Sequence, residues 1–508
     1  MEVEDKAHIT STSGATAGIH LFVRGRVCVV GEHSDWAGGL TTSPDTTGGT
    51  CLVYTTQCGV GASVRLHHST QSTTTVISTD HQLPRLVIIS KEDTSSLAGG
   101  SSSIPVAEPA SKSVPFSCEL SLNALMSEAT DPSNYYSYMC GGVHAALRYL
   151  VWKADITLNN TTANNPVEAI LPSGICIYDV ESTMPERRGF SSSASISVLA
   201  VKAVLSLVAA TSSSSSGSSS ASGVVVAAAK TALECVGTCM ELAWLGERLT
   251  GSLCGQMDQC VACTEHGFQH MSFSNKHSEL CSGLLDTTCT KGIAKASIVD
   301  LTHVAPPVNF YFVVADLKAG KDTRCILQCL TDAVVAEDTG NADETANSYA
   351  TTIVSTSSEL ISTILDQLQG LLGDDSDDIV TQLISDLRGV NRAHSAAIFL
   401  RRENRLLVQL ACVCIARGSV VGLGAVMRYF QALFDLSLQH LCPELTSPKL
   451  HRILADEGVR KLSVGGKGVG SQGDGSVQFL CATEEDQHNL YELLQTPPYD
   501  CIPFKFQL

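Results

Sequence analysis

The sequence predicts an α/β (α+β) protein of two lobes, on three observations. Strand-length apolar runs and long helical segments occur in both halves of the chain, two alanine-rich helices are apolar over most of their surface and so demand a layered packing, and 508 residues leave room for more than one core. The β-branched run 27–30 predicts a buried strand that ends on Gly31 and is followed at once by Glu32, His33 and Asp35. A strand over 175–180 leads into the small-residue loop RRGFSSSAS (187–195) and a helix over 192–209. A serine run separates that helix from a second one over 224–250, and both should pack inside a layer. Further on, 308–316 reads as a strand, 357–387 and 401–440 as long helices, 465–475 as a glycine-dense loop, 476–481 as a strand and 484–494 as a last helix. Four polar, low-complexity patches, at 94–114, 158–165, 211–223 and 337–348, cannot bury enough apolar surface to fold and read as surface insertions. The chain shows no internal repeat.

Composition narrows the function. A net charge of −18 disfavours nucleic acid and anionic membranes as partners, so a bound phosphate must be held locally by backbone amides and a few basic side chains. The longest apolar runs, such as 194–210, carry Ser and Lys202 and fall short of the roughly 20 residues a membrane span needs. No cleavable signal opens the chain, and a cytoplasmic, monomeric protein is expected. The 20 cysteines read as reduced thiols. Cys260 and Cys263 form a C-x-x-C without a second pair at zinc-finger spacing, which implies no structural metal.

Four motifs carry chemistry. In RVCVVGEHSDWAGG (26–39), two carboxylates and an imidazole stand at a strand end with Arg26 at its start, a hydrogen-bonding set suited to a polyhydroxylated ligand; the plainer reading is an acidic turn. The loop 187–195 opens a helix and aims free backbone N–H groups at one point, where a phosphate would sit. Hydroxyls of Ser191 to Ser193 add donors or a magnesium contact, and Arg187 and Arg188 can offset phosphate charge; the plainer reading is a serine-rich N-cap. In CGQMDQ (254–259), Asp258 stands beside apolar Met257 as a base or charge stabiliser, and Glu247 near the preceding helix end could complete a Mg²⁺ site with a serine of the loop. Either acid alone also reads as an ordinary helix-end residue. The segment GVGSQG (468–473) is literally a G-x-G-x-x-G, but a strand and not a helix follows it, so it reads as a glycine loop closing over the edge of a cleft.

In this order the motifs resemble those of the GHMP kinase family, most strongly its galactokinase branch. GRVCVVGEHSDWAGG resembles that branch's G-R-V-N-L-I-G-E-H-T-D-Y signature, GFSSSAS its G-L-S-S-S-A phosphate loop, and CGQMDQ its C-G-x-M-D-Q turn. The resemblance implies a two-lobed GHMP kinase fold with the active site between an N-terminal domain, 1–300, and a C-terminal domain, 301–508. It implies an ATP- and Mg²⁺-dependent kinase that phosphorylates the 1-hydroxyl of a monosaccharide. Asp258 would then be the catalytic aspartate and Arg26 the stabiliser of the transferring phosphate. Glu32, His33 and Asp35 would hold sugar hydroxyls. Arg188, Gly189, Phe190, Ser191, Ser192, Ser193, Ala194 and Ser195, with Gly468 and Gly470, would bind ATP, and Ser193 and Glu247 would bind magnesium. Arg24, Trp36, the Glu186-Arg187-Arg188 run and GGKGVGSQGDGS depart from the branch's pattern and leave the sugar open. A mevalonate kinase-like enzyme and a catalytically silent sugar sensor are the alternatives.

Overall fold

The computed structural model describes residues 18–39, 49–67, 84–90, 115–154, 166–184, 189–211, 220–264, 267–274, 295–301, 308–339, 350–372, 378–390 and 395–508. The low-complexity patches 94–114 and 158–165, and with them Arg187 and Arg188, lie outside the described residues. The other two patches are shorter than expected. Residues 220–223 already belong to a helix, and Glu337 and Asp338 close another.

The first part of the chain runs β1 (Ile19–Val30), α1 (Ser34–Gly39), β2 (Thr50–Leu66), β3 (Arg85–Ser90), β4 (Phe116–Glu119), α2 (Leu122–Thr130), α3 (Ser137–Lys153), β5 (Ile175–Ser182), α4 (Ser192–Ala210), α5 (Ser220–Glu234), α6 (Val236–Leu249), α7 (Met257–Ala262), β6 (Phe268–Ser274) and β7 (Lys295–Asp300). Its strands form a seven-stranded sheet in the order β4-β3-β5-β2-β6-β7, with β1 paired to β2. The long β2 is the spine: β1 runs antiparallel along one edge, while β5 and β6 share the other. The outer half of β1 alternates between covered and open residues, whereas its inner half, which leads to the first motif, is buried on both faces.

The second part runs β8 (Tyr311–Asp316), α8 (Thr323–Asp338), α9 (Ala350–Leu372), α10 (Asp378–Arg388), α11 (Asn404–Ala416), α12 (Val420–Leu438), α13 (Pro448–Ala455), α14 (Glu457–Leu462), β9 (Gly465–Gly468), β10 (Ser476–Cys481), α15 (Glu484–Gln495) and β11 (Ile502–Gln507). Its strands form a four-stranded antiparallel sheet, β11-β8-β10-β9. Strand β8 divides its side chains by parity. Phe312 and Val314 join the large core shared with the first sheet, while Val313 and Ala315 join a smaller cluster under α13 and α15. Phe312 stacks on Tyr54 of β2 with ring centroids 4.7 Å apart, and Phe190 meets Phe504 at 5.6 Å, so aromatic rings tie the two sheets together.

Two expected helices are broken. The segment 224–250 is two helices, α5 and α6, meeting at 97°, because Cys235 takes an extended conformation between them. Within 357–387 the described residues are helical in α9 and α10, and 373–377 between them lie outside the described residues. In 401–440 the helix ends at Ala416: Gly418 turns left-handed (φ 65°), Ser419 N–H donates to the Cys414 carbonyl, and the Ser419 hydroxyl then accepts from Gly422 N–H to start α12. The glycine-dense segment also differs from a plain loop, because Gly465–Gly468 pairs with β10 as a strand and only the tip turns. Among the described residues one helix, α4, is long and apolar enough to cross a membrane, and most of it is buried inside the molecule.

Candidate active site

Strand β1 delivers the first motif. Arg26 is 4% exposed; its Nε donates to Asp258 Oδ1 at 2.8 Å, its Nη2 forms an ion pair with the same oxygen, and its Nη1 donates to the Gly189 carbonyl at 3.0 Å. One guanidinium thus fastens the first, second and third motifs together. Burial is the largest influence and works against its charge, but Asp258, Cys28 and Glu32 together outweigh it and hold Arg26 above the ordinary guanidinium range. The Asp258 side chain keeps 26% of its surface open. It stands in the first turn of α7 with Oδ1 committed to Arg26.

Asp35 lies in the first turn of α1, and its Oδ2 accepts the Met257 N–H at 3.1 Å, which joins the first motif to the turn that carries Asp258. A Cβ on Gly255 would fall 1.9 Å from Asp35 Oδ2, so the close approach of that turn requires glycine. Burial, and next the Asp258 charge, push the Asp35 carboxyl up to about 6, against the Met257 and Trp36 amides and Arg26. Glu247, near the end of α6, accepts the Ser193 hydroxyl at 2.8 Å on Oε1 and the Gln259 amide at 2.6 Å on Oε2. It is buried, and burial followed by the Asp258 charge pushes it up to about 7.

The serine loop enters α4 through left-handed backbone at Gly189 (φ 82°) and Ser191 (φ 62°). Gly189 lies under the glycine-rich turn of the second sheet: a Cβ there would meet Val469 Cγ1 at 2.8 Å, and one on Gly470 would come within 3.3 Å of Gly189 Cα. The two glycine-bearing loops therefore face each other, with the open N-terminus of α4 beside them. Ser192 and Ser193 are half-buried in that first turn, and the Ser191 hydroxyl is buried with no hydrogen-bond partner among the described residues. Phe190, Ala194 and Ser195 turn away from it. Phe190 packs against Phe504 and Phe506, Ala194 is buried in the protein, and Ser195 donates to the Arg24 carbonyl at 3.1 Å, so their side chains serve the packing of the loop.

Two residues of the first motif differ from expectation. Glu32 is 1% exposed and its Oε1 is ion-paired with Lys467, which is itself fully buried, donates to the Gly468 carbonyl at 2.8 Å and lies 4.9 Å above the Phe430 ring. Glu32 Oε1 is a buried tie between the first motif and the glycine-rich segment, while Glu32 Oε2 has no donor among the described residues. His33, left-handed at φ 65°, accepts the Trp36 indole N–H on Nδ1 at 3.2 Å. Burial, then Lys321, lower it to about 4, so its imidazole is neutral at neutral pH. Lys321 is a further charge that sequence reasoning missed: its Nζ donates to the Gln472 carbonyl at 3.1 Å and the Val469 carbonyl at 3.4 Å, holding the glycine-rich turn. For Lys467, the available signal was a single cation inside a run of glycines.

The donors that could receive magnesium are all oxygens, the Ser193 hydroxyl and the Glu247 carboxylate, with Asp258 close enough to raise the Glu247 pKa; this is a hard-cation set and it fits Mg²⁺.

No family model matches the chain, and no curated protein matches it. Solved structures do. Methanococcus jannaschii mevalonate kinase superposes with a TM-score of 0.50 at 11% identity, over 97% of this chain and 98% of that one. Lactococcus lactis galactokinase in complex with galactose gives 0.50 at 13% identity, over 96% and 92%. The Lin0012 protein of Listeria innocua gives 0.52 at 10% identity, over 96% and 97%. Over nearly its whole length, then, the chain has the fold that mevalonate kinase and galactokinase share, the GHMP kinase fold.

Proposed function

We propose that this protein is an ATP- and Mg²⁺-dependent sugar kinase that transfers the γ-phosphate to the 1-hydroxyl of a monosaccharide, in a cleft between a lobe of residues 1–300 and one of 301–508. The observation that carries the reading is the Arg26–Asp258–Gly189 junction. It sets a partly open carboxylate and a buried guanidinium at the mouth of a helix N-terminus.

Phosphoryl transfer asks a protein for position and charge more than for covalent chemistry. The backbone N–H groups of Ser192 and Ser193 and the dipole of α4 hold the terminal phosphates, aided by the Ser191 hydroxyl. Asp258, pinned through Oδ1, presents Oδ2 to the acceptor hydroxyl, orients it and takes its proton. Arg26 sits against the same carboxylate and offsets charge on the phosphate as it moves. Asp35 accepts hydrogen bonds from sugar hydroxyls, and neutral His33 adds a polar edge beside it. Ser193 and Glu247 would hold Mg²⁺, which would supply charge neutralisation for the phosphate when bound.

A coupled ADP-release assay over a panel of hexoses, pentoses and uronic acids, with mevalonate included, tests the proposal. Sugar-dependent turnover that falls about 10²-fold or more in Asp258→Asn, with little change in ATP binding, is expected. Turnover on mevalonate alone would replace the substrate class, and sugar and ATP binding without turnover would make the protein a sensor.

A further inference from the structure

Outside the cleft, the fold brings together three sulfurs that are far apart in sequence. Cys325 and Cys329 lie one turn apart on α8, and Cys442 precedes the 3₁₀ turn Pro443–Thr446; their Sγ atoms all lie within 4.8 Å of one another. The cluster spans the boundary of the protein, with Cys325 exposed, Cys329 intermediate and Cys442 buried. Zinc–thiolate bonds of about 2.3 Å in a tetrahedral site set sulfurs about 3.8 Å apart. The sulfurs therefore need to approach one another by no more than about 1 Å to reach that spacing. A disulfide would use two of the sulfurs and leave the third without a role, whereas a metal uses all three.

We propose that Cys325, Cys329 and Cys442 form a three-thiolate site for a thiophilic divalent cation of the zinc class, with the fourth position open to water or an outside ligand on the Cys325 side. Binding replaces three S–H bonds by three metal–sulfur bonds and releases the three protons to solvent, so affinity rises with pH. The C-x-x-C pair that drew attention in the sequence plays no part; the spacing that matters is one helical turn plus a contact across more than a hundred residues.

The site shares its two walls with the glycine-rich turn. The nearest atoms to a Cβ placed on Gly473 belong to Glu444, two residues after Cys442, to Ile326, next to Cys325, and to Lys321. Thr323, at the start of the same helix, has its hydroxyl 3.3 Å from that of Ser471. A cation joining α8 to the 442–446 segment would fasten the frame around the turn. The effect of that on catalysis rests on the kinase reading, whereas the metal site does not.

Cobalt(II) is the probe, titrated into the reduced full-length protein and followed by thiolate-to-cobalt charge transfer and tetrahedral d–d absorption. With 20 cysteines in the chain, variants decide the location. One Co²⁺ per chain, displaced by Zn²⁺ and weakened at least about tenfold in Cys325→Ser, is expected. Cys325 is exposed, so this variant should fold as the wild type does, which circular dichroism checks; Cys442→Ser should lose the same bands. Absence of the charge-transfer band in the wild type, or cobalt binding unchanged in Cys325→Ser, overturns the proposal. None of these readouts needs turnover, so failure of the sugar kinase reading would leave them standing.

Discussion

Replacing Glu247 by Gln should make the metal-free protein more stable at pH 8 while removing its activity. The buried carboxyl ionises near 7 in the fold and near 4.5 when exposed, chiefly because burial penalises its charge. The folded state thus binds a proton more tightly than the unfolded one, and the stability this gives is fully present below about 4.5 and lost as pH rises through about 7. A shift of that size corresponds to about 3 kcal/mol at most. Glutamine has no proton to lose. Its amide can keep both contacts, donating to Ser193 and accepting from Gln259, so little else changes. Unfolding by urea at pH 5 and pH 8, with a chelator present, should show the variant gaining about 2 to 3 kcal/mol on the wild type between the two pH values. Magnesium should restore wild-type stability at pH 8 and leave the variant unmoved. If both proteins lose the same stability from pH 5 to pH 8, the carboxylate is not the strained group, and its reading as a metal ligand loses its physical basis.

Asp35→Ala should lower kcat/KM for the true sugar about 10- to 100-fold and spare ATP affinity, with deoxy-sugars lacking the contacted hydroxyl suffering less; an equal loss on every sugar would remove Asp35 from recognition. Gly189→Val forces a side chain against Val469 in a left-handed conformation, so KM for ATP should rise or kcat fall; unaltered Mg-ATP calorimetry and kinetics would reduce the loop to a helix cap. Lys467→Ala leaves Glu32 charged and buried and should cost about 3 to 5 kcal/mol, whereas the pair Lys467→Met and Glu32→Gln should recover most of it; equal losses in the single and double variants would show that packing and not charge is at stake.

What the sequence reveals here follows from how local each signal is. Strand β1 and the turn after it were legible because a β-branched run ending on glycine encodes both the strand and its stop within a few residues. The serine loop and the Asp258 turn were legible for the same reason, since each is a contiguous set of small or polar residues at a helix start. Helix breaks at Cys235 and Gly418 were not. Apolar periodicity continues across both, and what stops the helix is one residue's backbone and a few hydrogen bonds. Strand β2 was missed because it is buried on both faces and carries glycines, which erases the alternation that marks a strand. Contacts that join distant segments, Glu32 with Lys467 and Cys325 with Cys442, are not written in either segment: a lone lysine among glycines marks Lys467 as unusual but does not name its partner.

The Glu32–Lys467 tie also changes what the first motif can do. Of Glu32, His33 and Asp35, Glu32 gives one oxygen to a cation of the glycine-rich segment, and the other is buried with no donor beside it among the described residues. Its backbone carbonyl is held as well, by the Asn404 amide at 3.2 Å, while Arg401 donates to the Ala37 carbonyl at 3.0 Å, so the motif is braced from α11 and the turn before it. On the proposed sugar kinase reading, recognition at this strand end falls mainly to a neutral imidazole and to a carboxyl, Asp35, that burial pushes up to about 6. Such a pair offers fewer charged acceptors than the sequence promises and makes binding depend on pH. Between pH 5 and 7 Asp35 passes from donor and acceptor to acceptor alone, so the hydroxyl it prefers changes with it. On the same proposed reading, the choice of sugar is set by a balance of burial and charge around Asp35 and His33, which the order of residues in the motif does not contain.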